Sequence, residues 1–300
     1  MKHPKQPAQV RIAGAGIACL DYLFEAPPAA WGDTVRVGRW MTEGGGKTAT
    51  ALVTAARLGA RTHLLTRLGD DEAGRHILEG LNNEGVETRG THCVPSGESP
   101  ISFVHVDNKS GDRTIFHREA RLLSSGPQPD LSAVREAHVL IVDDAHIDLA
   151  VAAAEEARAT GVPVLGDIMP KAKNRRLIPL VDILIAPHHY AALPAFKGDP
   201  SAAACAILQM GPRVGIVTLG PRGWTGQGPD GHATGAALEV EVVDTTGAGD
   251  VFHGAFAVGL AMGWNWIECA RLATVAAGLK CRAFGGRKGI PRWHELTAFL

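Results

Sequence analysis

Cysteines, aromatic residues and long apolar runs are all scarce in this 300-residue chain. The cysteines form no C-x-x-C pair and are odd in number, which argues against a disulfide scaffold or a cysteine-based zinc site. They are Cys19, Cys93, Cys205, Cys269 and Cys281. No apolar run reaches the length of a membrane span, and the first ten residues lack the apolar core of a signal peptide. These absences predict a cytoplasmic protein with reduced thiols.

An excess of either charge is also missing. The 30 basic and 31 acidic residues leave a formal net charge of -1, so we expect neither a nucleic acid nor a membrane surface as a partner. Hydrophobic residues make up 45% of the chain, which is enough to bury a sizeable core. Glycine is plentiful, with 36 residues, as is typical of an α/β enzyme with many tight turns.

Short apolar runs alternate along the chain with segments of helical spacing. The runs are nearly continuous in apolar character, which is typical of strands covered on both faces: VRIAGAGI, THLLTRLG, HVLIVDD, VPVLGD, VDILIAP and RVGIVTLG. The segments between them include DEAGRHILEGLNNEG and IDLAVAAAEEARATG, which end in glycine. This rhythm predicts a mostly parallel sheet with helices on both sides.

Two stretches, 32–45 and 99–123, alternate like strands with no helix between them. The second contains a hairpin signal at NKSGD. They are either edge strands of the main sheet or a small antiparallel sheet that covers an active site. We favour one domain spanning 1–300, with a lid formed by segments at about 31–43 and 99–121.

The stretch EGGGKTAT, Glu43 to Thr50, has the strand–turn–helix setting of a phosphate-binding P-loop, with TVRVGRW as the strand. A P-loop requires G-x-x-x-x-G-K-[ST], and its first glycine would fall at Met41. The stretch therefore predicts a different ligand-binding turn, or a helix start with a solvated lysine.

A second glycine motif, GAGIAC from Gly14, resembles the dinucleotide pattern G-x-G-x-x-G but has Cys19 at the third glycine. We interpret it as a strand end with a tight turn. Asp21 follows the strand, where α/β folds place ligands, so it is either a binding residue or a turn-capping acid.

The strongest chemical signal is DTTGAGDVFHGAF, Asp244 to Phe256. A predicted strand, ALEVEVV, leads into a glycine-rich turn that opens a helix. Small residues at a helix start direct backbone N–H groups and the positive end of the helix dipole toward an anion. Asp250, predicted to be ionised, could accept the proton of a hydroxyl that attacks phosphorus. The alternative is an acid that only stabilises its helix.

The same segment resembles the C-terminal signature of the ribokinase (PfkB) family of sugar kinases. The N-terminal signature resembles GGGKTATALVTAARLGA and the residues after it, and VTLGPRG and GGRKGIP fit the family's nucleotide-side segments. The resemblance covers essentially the whole chain and looks closest to sulfofructose kinase and its uncharacterised relatives. It implies a Rossmann-like three-layer α/β/α fold with a small β-sheet lid, and ATP-dependent phosphorylation of a sugar hydroxyl with Mg²⁺.

The resemblance also implies roles for individual residues. Asp250 matches the catalytic base, and the turn Gly247, Ala248 and Gly249 matches the backbone anion hole. The sugar side matches Asp21, Gly45, Gly46 and Lys47. The nucleotide side matches Thr218, Gly220 and Gly223, with Gly286 bordering the adenine pocket. Asp244 and Thr246 resemble ligands of a monovalent cation, which implies K⁺.

The chain departs from the family at two places. Many members carry N-x-x-E after the strand that corresponds to VDILIAP, and here the residues are His188, His189, Tyr190 and Ala191. We therefore expect Mg²⁺ to be held by ATP phosphates, water and Asp167, because Mg²⁺ keeps few protein ligands. Thr50 stands where ribokinase has asparagine, which argues against ribose as the substrate.

The substrate class stays open. An anionic sugar would need cationic partners, for which the candidates are Arg39, Lys47, Arg113, Arg118 and Arg121; a neutral ketose or aldose is equally compatible. A nucleoside would stack on Trp31, Trp40 or Phe103, unless these side chains pack within the lid. A regulator without catalysis and a dinucleotide-dependent oxidoreductase are two further hypotheses. Apolar lid faces predict a homodimer.

Overall fold

A computed structural model describes residues 6–123 and 130–299. Its strands are β1 (Arg11–Ala15), β2 (Cys19–Ala26), β3 (Trp40–Gly45), β4 (Arg61–Gly69), β5 (Val86–Glu87), β6 (Thr91–Val94), β7 (Ile101–Asp107), β8 (Arg113–Arg118), β9 (Val139–Asp143), β10 (Val164–Asp167), β11 (Ile183–Pro187), β12 (Val214–Thr218), β13 (Trp224–Gly228) and β14 (Gly231–Gly235). Its α-helices are α1 (Lys47–Arg57), α2 (Glu72–Asn83), α3 (Ser132–Arg135), α4 (Ile147–Thr160), α5 (Pro200–Leu208), α6 (Ala248–Met262), α7 (Trp266–Lys280) and α8 (Trp293–Thr297).

Ten strands form the main sheet, in the order β14-β13-β12-β11-β10-β9-β1-β4-β5, with β6 also paired to β4. All pairs are parallel except β12–β13 and β13–β14, which form an antiparallel meander at one edge. The predicted mostly parallel sheet is therefore confirmed. The carboxyl ends of its parallel strands share one edge, which is where such folds bind ligands.

Helices cover both faces of this sheet because its strands are apolar on both sides. Ile12, Leu64 and Ile141 belong to the core shared with α1, α6 and α7. Their chain neighbours Ala13, Leu65 and Leu140 belong to the core shared with α4 and α5. Successive side chains of a strand point to opposite faces, so the continuous apolar runs produce three layers. Within the described ranges, no helix combines the length and the apolar character needed to cross a membrane.

A second sheet of four strands, β3-β2-β7-β8, forms the lid sheet. The prediction of an antiparallel lid is wrong in part, because β2 and β7 pair in parallel. The predicted strand TVRVGRW contributes only Trp40, while residues 31–39 lie outside any strand. The predicted lid also omitted β2. This strand alternates buried and exposed residues at its centre, as expected of a sheet covered on one face only.

The predicted strand ALEVEVV, residues 237–243, is absent from both sheets. Instead, the N–H groups of Val243 and Asp244 both donate to the carbonyl oxygen of Cys281, at 2.8 and 3.2 Å. Leu238 packs against the core next to α7. The alternating pattern therefore comes from an extended segment that lies along the end of α7 without a strand partner.

Candidate active site

Side chains from distant parts of the chain meet where the strands β9 and β10 end and the helices α1 and α6 begin. Lys47 at the start of α1 donates to Asp144 Oδ1 at 3.1 Å and to the Asp167 carbonyl oxygen at 3.3 Å. The other side of Asp167 faces α6, with its Oδ2 3.6 Å from His253 Nδ1. His253 is in turn bonded to the carbonyl oxygen of Gly249, at 2.8 Å. The predicted phosphoryl-transfer turn thus lies at the carboxyl edge of the sheet.

The turn before α6 requires glycine at its first position and leaves space at its third. Gly247 has a φ of 73°, and a Cβ there would lie 2.7 Å from the carbonyl oxygen of Gly286. A Cβ at Gly249 would meet no atom of the described residues within 4 Å. The N–H of Ala248 already donates to Thr245, at 3.2 Å. Ala248 is therefore the least available member of the predicted anion hole.

Asp250 lies in the first turn of α6, where the helix dipole by itself would keep the pKa of its carboxyl group low. Burial raises its pKa, and the neighbouring Asp167 raises it further, to about 7. His253, Lys47 and Arg113 act in the opposite direction without cancelling the rise. A pKa of about 7 differs from the predicted full ionisation at neutral pH. A pKa near the working pH is, however, what a general base requires.

Lys47 lies beside these acids, and its contacts exclude a simple solvated lysine. Burial lowers the pKa of Lys47, but Asp167, Asp144 and Asp143 together hold it above its ordinary value. The ammonium therefore stays charged and fixed between two strand ends. Its ion-pair partners, Asp144 and Asp167, lie at the ends of β9 and β10. The contact of Lys47 with a sugar stays a prediction.

The predicted sugar-side residues do come together, but Asp21 lies on the lid strand β2 instead of the edge of the main sheet. Its cross-strand partners are Glu43 and Ser102, and Cys19 Sγ donates to its Oδ1 at 3.0 Å. Burial raises the pKa of Asp21 and also that of Glu43. A Cβ at Gly45 would overlap the Asp21 carboxylate, so a larger residue here would displace that side chain.

A residue that the sequence analysis missed, Arg287, lies between these two acids. Its side chain is fully enclosed, and it donates to the Gly45 carbonyl oxygen at 2.9 Å and to Thr50 Oγ1 at 3.2 Å. Burial lowers the pKa of Arg287, while Glu43 and Asp21 act to raise it. The only signal in the sequence was an arginine inside the glycine-rich segment GGRKGIP.

The predicted nucleotide-side residues separate into two places. Thr218 ends β12, and the following turn contains Gly220 and Gly223, with φ values of 59° and 81°. Gly223 is required by packing, because a Cβ there would overlap the carbonyl oxygen of Gly235. Gly286, in contrast, lies between the turn that precedes α1 and the turn that precedes α6. Its N–H donates to Glu43, and its carbonyl oxygen lies next to Gly247.

The predicted metal residues differ in how well they suit an ion. No cluster of three or more His, Cys, Asp or Glu side chains within 6–123 and 130–299 is placed to hold a metal. Asp167 suits Mg²⁺, because it lies beside Asp250 and Mg²⁺ takes few protein ligands along with water and phosphate oxygens. Of the four residues at the N-x-x-E positions, Tyr190 and Ala191 are buried in the core, and Ala191 has no side-chain ligand atom where the family has glutamate. His188, at the asparagine position, is exposed.

The predicted monovalent-cation residues are already engaged within the protein. Asp244 is fully buried, and its carboxylate accepts the N–H groups of Thr246 and Gly285, both at 2.8 Å. Its carbonyl oxygen accepts from Nζ of Lys280, at 2.9 Å. Burial lowers the pKa of Lys280, whereas Asp244 and Glu43 act to raise it.

The arginines considered for an anionic substrate are mostly engaged elsewhere. Arg39 pairs with Glu25 at 2.6 Å, and Arg118 and Arg121 both pair with Glu98, at 3.6 and 3.5 Å. Arg113 differs, because it donates to Thr245 Oγ1 at 3.0 Å, beside the turn that opens α6.

The aromatic side chains considered for stacking a nucleobase lie on the other face of the lid sheet. Tyr22 pairs with Phe103 across the strands, and their rings stack at 5.4 Å. Trp40 pairs with Phe24, two residues from Tyr22, so its side chain points to the same face of the lid sheet as Tyr22 and Phe103. Asp21 and Glu43 point to the opposite face. Trp31 is fully exposed outside the strands. These rings are therefore directed away from the sugar-side acids.

Known proteins resemble this chain in both sequence and architecture. The model of the pfkB family carbohydrate kinases matches residues 15–293. Ribokinase from Bacillus subtilis is 29% identical over 273 residues, covering 90% of this chain and 92% of that protein.

Two solved structures superpose closely. A candidate ribokinase from Agrobacterium tumefaciens has a TM-score of 0.87 at 29% identity and covers 97% of each chain. Ribokinase from Arabidopsis thaliana, complexed with ribose and ATP, has a TM-score of 0.82 at 25% identity and covers 96% of this chain and 98% of its own. The chain therefore belongs to the pfkB family of carbohydrate kinases, enzymes that transfer a phosphoryl group to an alcohol acceptor.

Proposed function

We propose that this kinase transfers the γ-phosphoryl group of ATP to a hydroxyl of a neutral sugar, with Asp250 as the base. The observation that carries the proposal is the pairing of Asp250, whose pKa lies near 7, with a helix-opening turn that has free space at Gly249. The base and an anion site are thereby within one helical turn of each other.

The sugar binds beside Gly45, where Asp21 and Glu43 supply carboxylate oxygens that accept hydrogen bonds from hydroxyl groups. Two acids at this place repel a phosphate or sulfonate group, and the nearby Arg287 guanidinium already donates to the Gly45 carbonyl oxygen and to Thr50 Oγ1. A neutral pentose or hexose suits this environment better than a sulfonated or phosphorylated sugar. Ribose is the first acceptor to test, since relatives are ribokinases, one of them complexed with ribose.

The nucleotide lies along the turn at Thr218 and Gly220, with its γ-phosphate toward Gly249. Asp250 takes the proton of the sugar hydroxyl as its oxygen bonds to the γ-phosphorus, and the bond to the β–γ bridging oxygen breaks to release ADP. The N–H groups at the start of α6 and the guanidinium of Arg113 stabilise the transferring group. Mg²⁺, held by phosphate oxygens, water and Asp167, would supply further positive charge.

The protein acts as a homodimer that pairs through the outer face of the lid sheet. This face exposes 37% of Tyr22, 45% of Phe103, 60% of Phe116 and 72% of Trp40. A contiguous aromatic surface of this kind marks an interaction site. We expect light scattering to give the mass of a dimer for the wild type and of a monomer for Phe116→Ser. A monomeric wild-type protein would contradict this pairing.

The test of the function is ADP formation with Mg-ATP against aldoses, ketoses, sugar phosphates, sulfofructose and nucleosides. We expect the highest kcat/KM with a neutral sugar, and Asp250→Asn to lose roughly 10²-fold or more in kcat. Asp148→Asn on the exposed start of α4 is the matched control and should retain full activity.

Each remaining outcome would identify a different function. A nucleoside as the best acceptor would identify a nucleoside kinase, and a phosphorylated or sulfonated sugar would overturn the argument from the two acids. No ADP with any acceptor would favour a regulator that binds ligands without catalysis.

A further inference from the structure

A lysine side chain lies where no solvent reaches it, beside the residues that the family resemblance connects with a monovalent cation. Lys280 is the last residue of α7, and none of its surface is exposed. Lysine normally keeps its ammonium group in water even when its stem is buried. Its Nζ donates to the carbonyl oxygen of Asp244, at 2.9 Å.

The negative potential at this ammonium comes chiefly from Asp244. The Asp244 carboxylate is the buried anion, and each of its oxygens accepts a backbone N–H, one from Thr246 and one from Gly285. From the lid sheet, Glu43 adds negative potential and Arg113 adds positive potential. The buried negative charge of Asp244 is therefore matched by a cation that belongs to the chain.

A bound K⁺ ion does not fit this arrangement. All three oxygens of Asp244 accept hydrogen bonds, and a second cation beside the ammonium would be repelled strongly in a place shielded from water. Among the side-chain oxygens of Asp244 and Thr246, the hydroxyl of Thr246 alone is buried without a hydrogen-bond partner in the part of the chain that is described. One such hydroxyl is a poor ligand set for a cation.

We propose that the Lys280 ammonium replaces the monovalent cation, so that this kinase works without K⁺. Lys280 is a positioning residue. It holds the Asp244 carbonyl, and Asp244 joins the turn at Thr246 to the loop at Gly285. These hydrogen bonds of Asp244 keep Gly286 next to Gly247, the first residue of the turn that precedes α6. The inference rests on the phosphotransfer activity proposed above.

The first test needs no variant. Initial rates and thermal unfolding are measured in KCl and in tetramethylammonium chloride of equal ionic strength. We expect the same kcat, KM and unfolding temperature in both salts. A several-fold higher kcat, or a higher unfolding temperature, that requires K⁺ would overturn the proposal. The unfolding measurement holds even if no acceptor sugar is found, so failure of the proposed function is distinguishable from failure of this inference.

The second test creates the missing cation site. Lys280→Met keeps an unbranched side chain, shorter by one atom, and removes its charge. Arg271→Met removes a charge on the exposed face of α7. We expect Lys280→Met to lose about tenfold or more in kcat in tetramethylammonium chloride, and to regain activity in KCl. Arg271→Met should resemble the wild type in both salts. A folded Lys280→Met variant that is fully active without K⁺, or that is inactive and unaffected by K⁺, would refute the replacement.

Discussion

Two glycine turns in this protein open a buried helix near the active site, and they are filled in opposite ways. At the first, before α1, a Cβ on Gly44, Gly45 or Gly46 would overlap or crowd Arg287, Asp21 or the backbone at Ile17. At the second, before α6, Gly249 faces open space. The protein itself occupies the space at all three glycines of the first turn. The second turn is crowded at Gly247 but open at Gly249, where we propose that the γ-phosphate lies.

The charged residue at the start of each helix shows the same contrast. Lys47 begins α1, where the helix dipole disfavours a cation, and the carboxylates of Asp144 and Asp167 compensate. Asp250 lies in the first turn of α6, where the dipole favours an anion, yet burial and Asp167 raise its pKa to about 7. Local helix electrostatics are outweighed at both turns by neighbours from other strands. Substitutions at the two turns should therefore affect stability and catalysis in different proportions.

The largest effect should come from removing the cation that fills the first turn. Arg287→Met leaves Asp21 and Glu43 buried without their compensating charge, so we expect the free energy of unfolding to fall by about 3–5 kcal/mol. Lys288→Met, at the exposed neighbouring position, should change it by no more than about 0.5 kcal/mol. Urea unfolding measures both. Equal stability of the two variants would show that Arg287 does not support this turn.

A methyl group at the second turn should impair catalysis without impairing the fold. Gly249→Ala has room within the protein and replaces a helical glycine, so the unfolding temperature should not fall. The methyl group would displace the γ-phosphate, and we expect kcat to fall on the order of 10²-fold. Full activity in Gly249→Ala would mean that the phosphate does not approach this residue.

The same methyl group at the first turn should act in the reverse order. Gly45→Ala forces the Asp21 carboxylate to move, so we expect a loss of about 1–3 kcal/mol in the free energy of unfolding. The KM for the sugar should rise more than the KM for ATP, because we propose that Asp21 binds the sugar. Steady-state kinetics with either substrate varied decide the point; an equal rise in both constants would contradict the division into two sides.

The smallest effect is a displacement of the pH profile. The acid limb of kcat/KM should fall near pH 7, because Asp250 must be unprotonated to act as a base. Lys47→Met removes a charge that lowers the pKa of Asp250, so the limb should move to higher pH. Asp167→Asn removes a charge that raises it, so the limb should move to lower pH, whatever its effect on the maximal rate.

Lys197→Met, on an exposed loop, is the control and should leave the limb in place. Movement of the limb in the same direction for Lys47→Met and Asp167→Asn would exclude Asp250 as the titrating base.

Much of the fold was predictable because it depends on short stretches of chain. In runs such as HVLIVDD, successive residues are apolar, and successive side chains of a strand point to opposite faces, so such a run predicts a strand buried on both faces. The structure confirms this, because Leu140 and Ile141 belong to different cores. The spacing of EGGGKTAT excludes a P-loop, since Met41 occupies the place of its first glycine. Local pattern failed at TVRVGRW and ALEVEVV, where the residues alternate like a strand. Of the first stretch only the end, from Gly38 to Trp40, bonds to β2, and the second bonds to the end of α7 instead of a strand.

By itself, the sequence determined the parallel sheet, the helix-opening turn with Asp250 and the family. The tertiary structure alone decided which charges meet. Arg287 bonds to Thr50 from 237 positions away, and Lys280 bonds to Asp244 across the whole of α6 and α7. Proximity between residues that are distant in the chain also raises the pKa of Asp250, places a positive charge near Asp21 and places Lys280 beside Asp244. Periodicity is a property of neighbours in the chain, whereas burial and Coulomb interactions depend on distance in space, which no local pattern records.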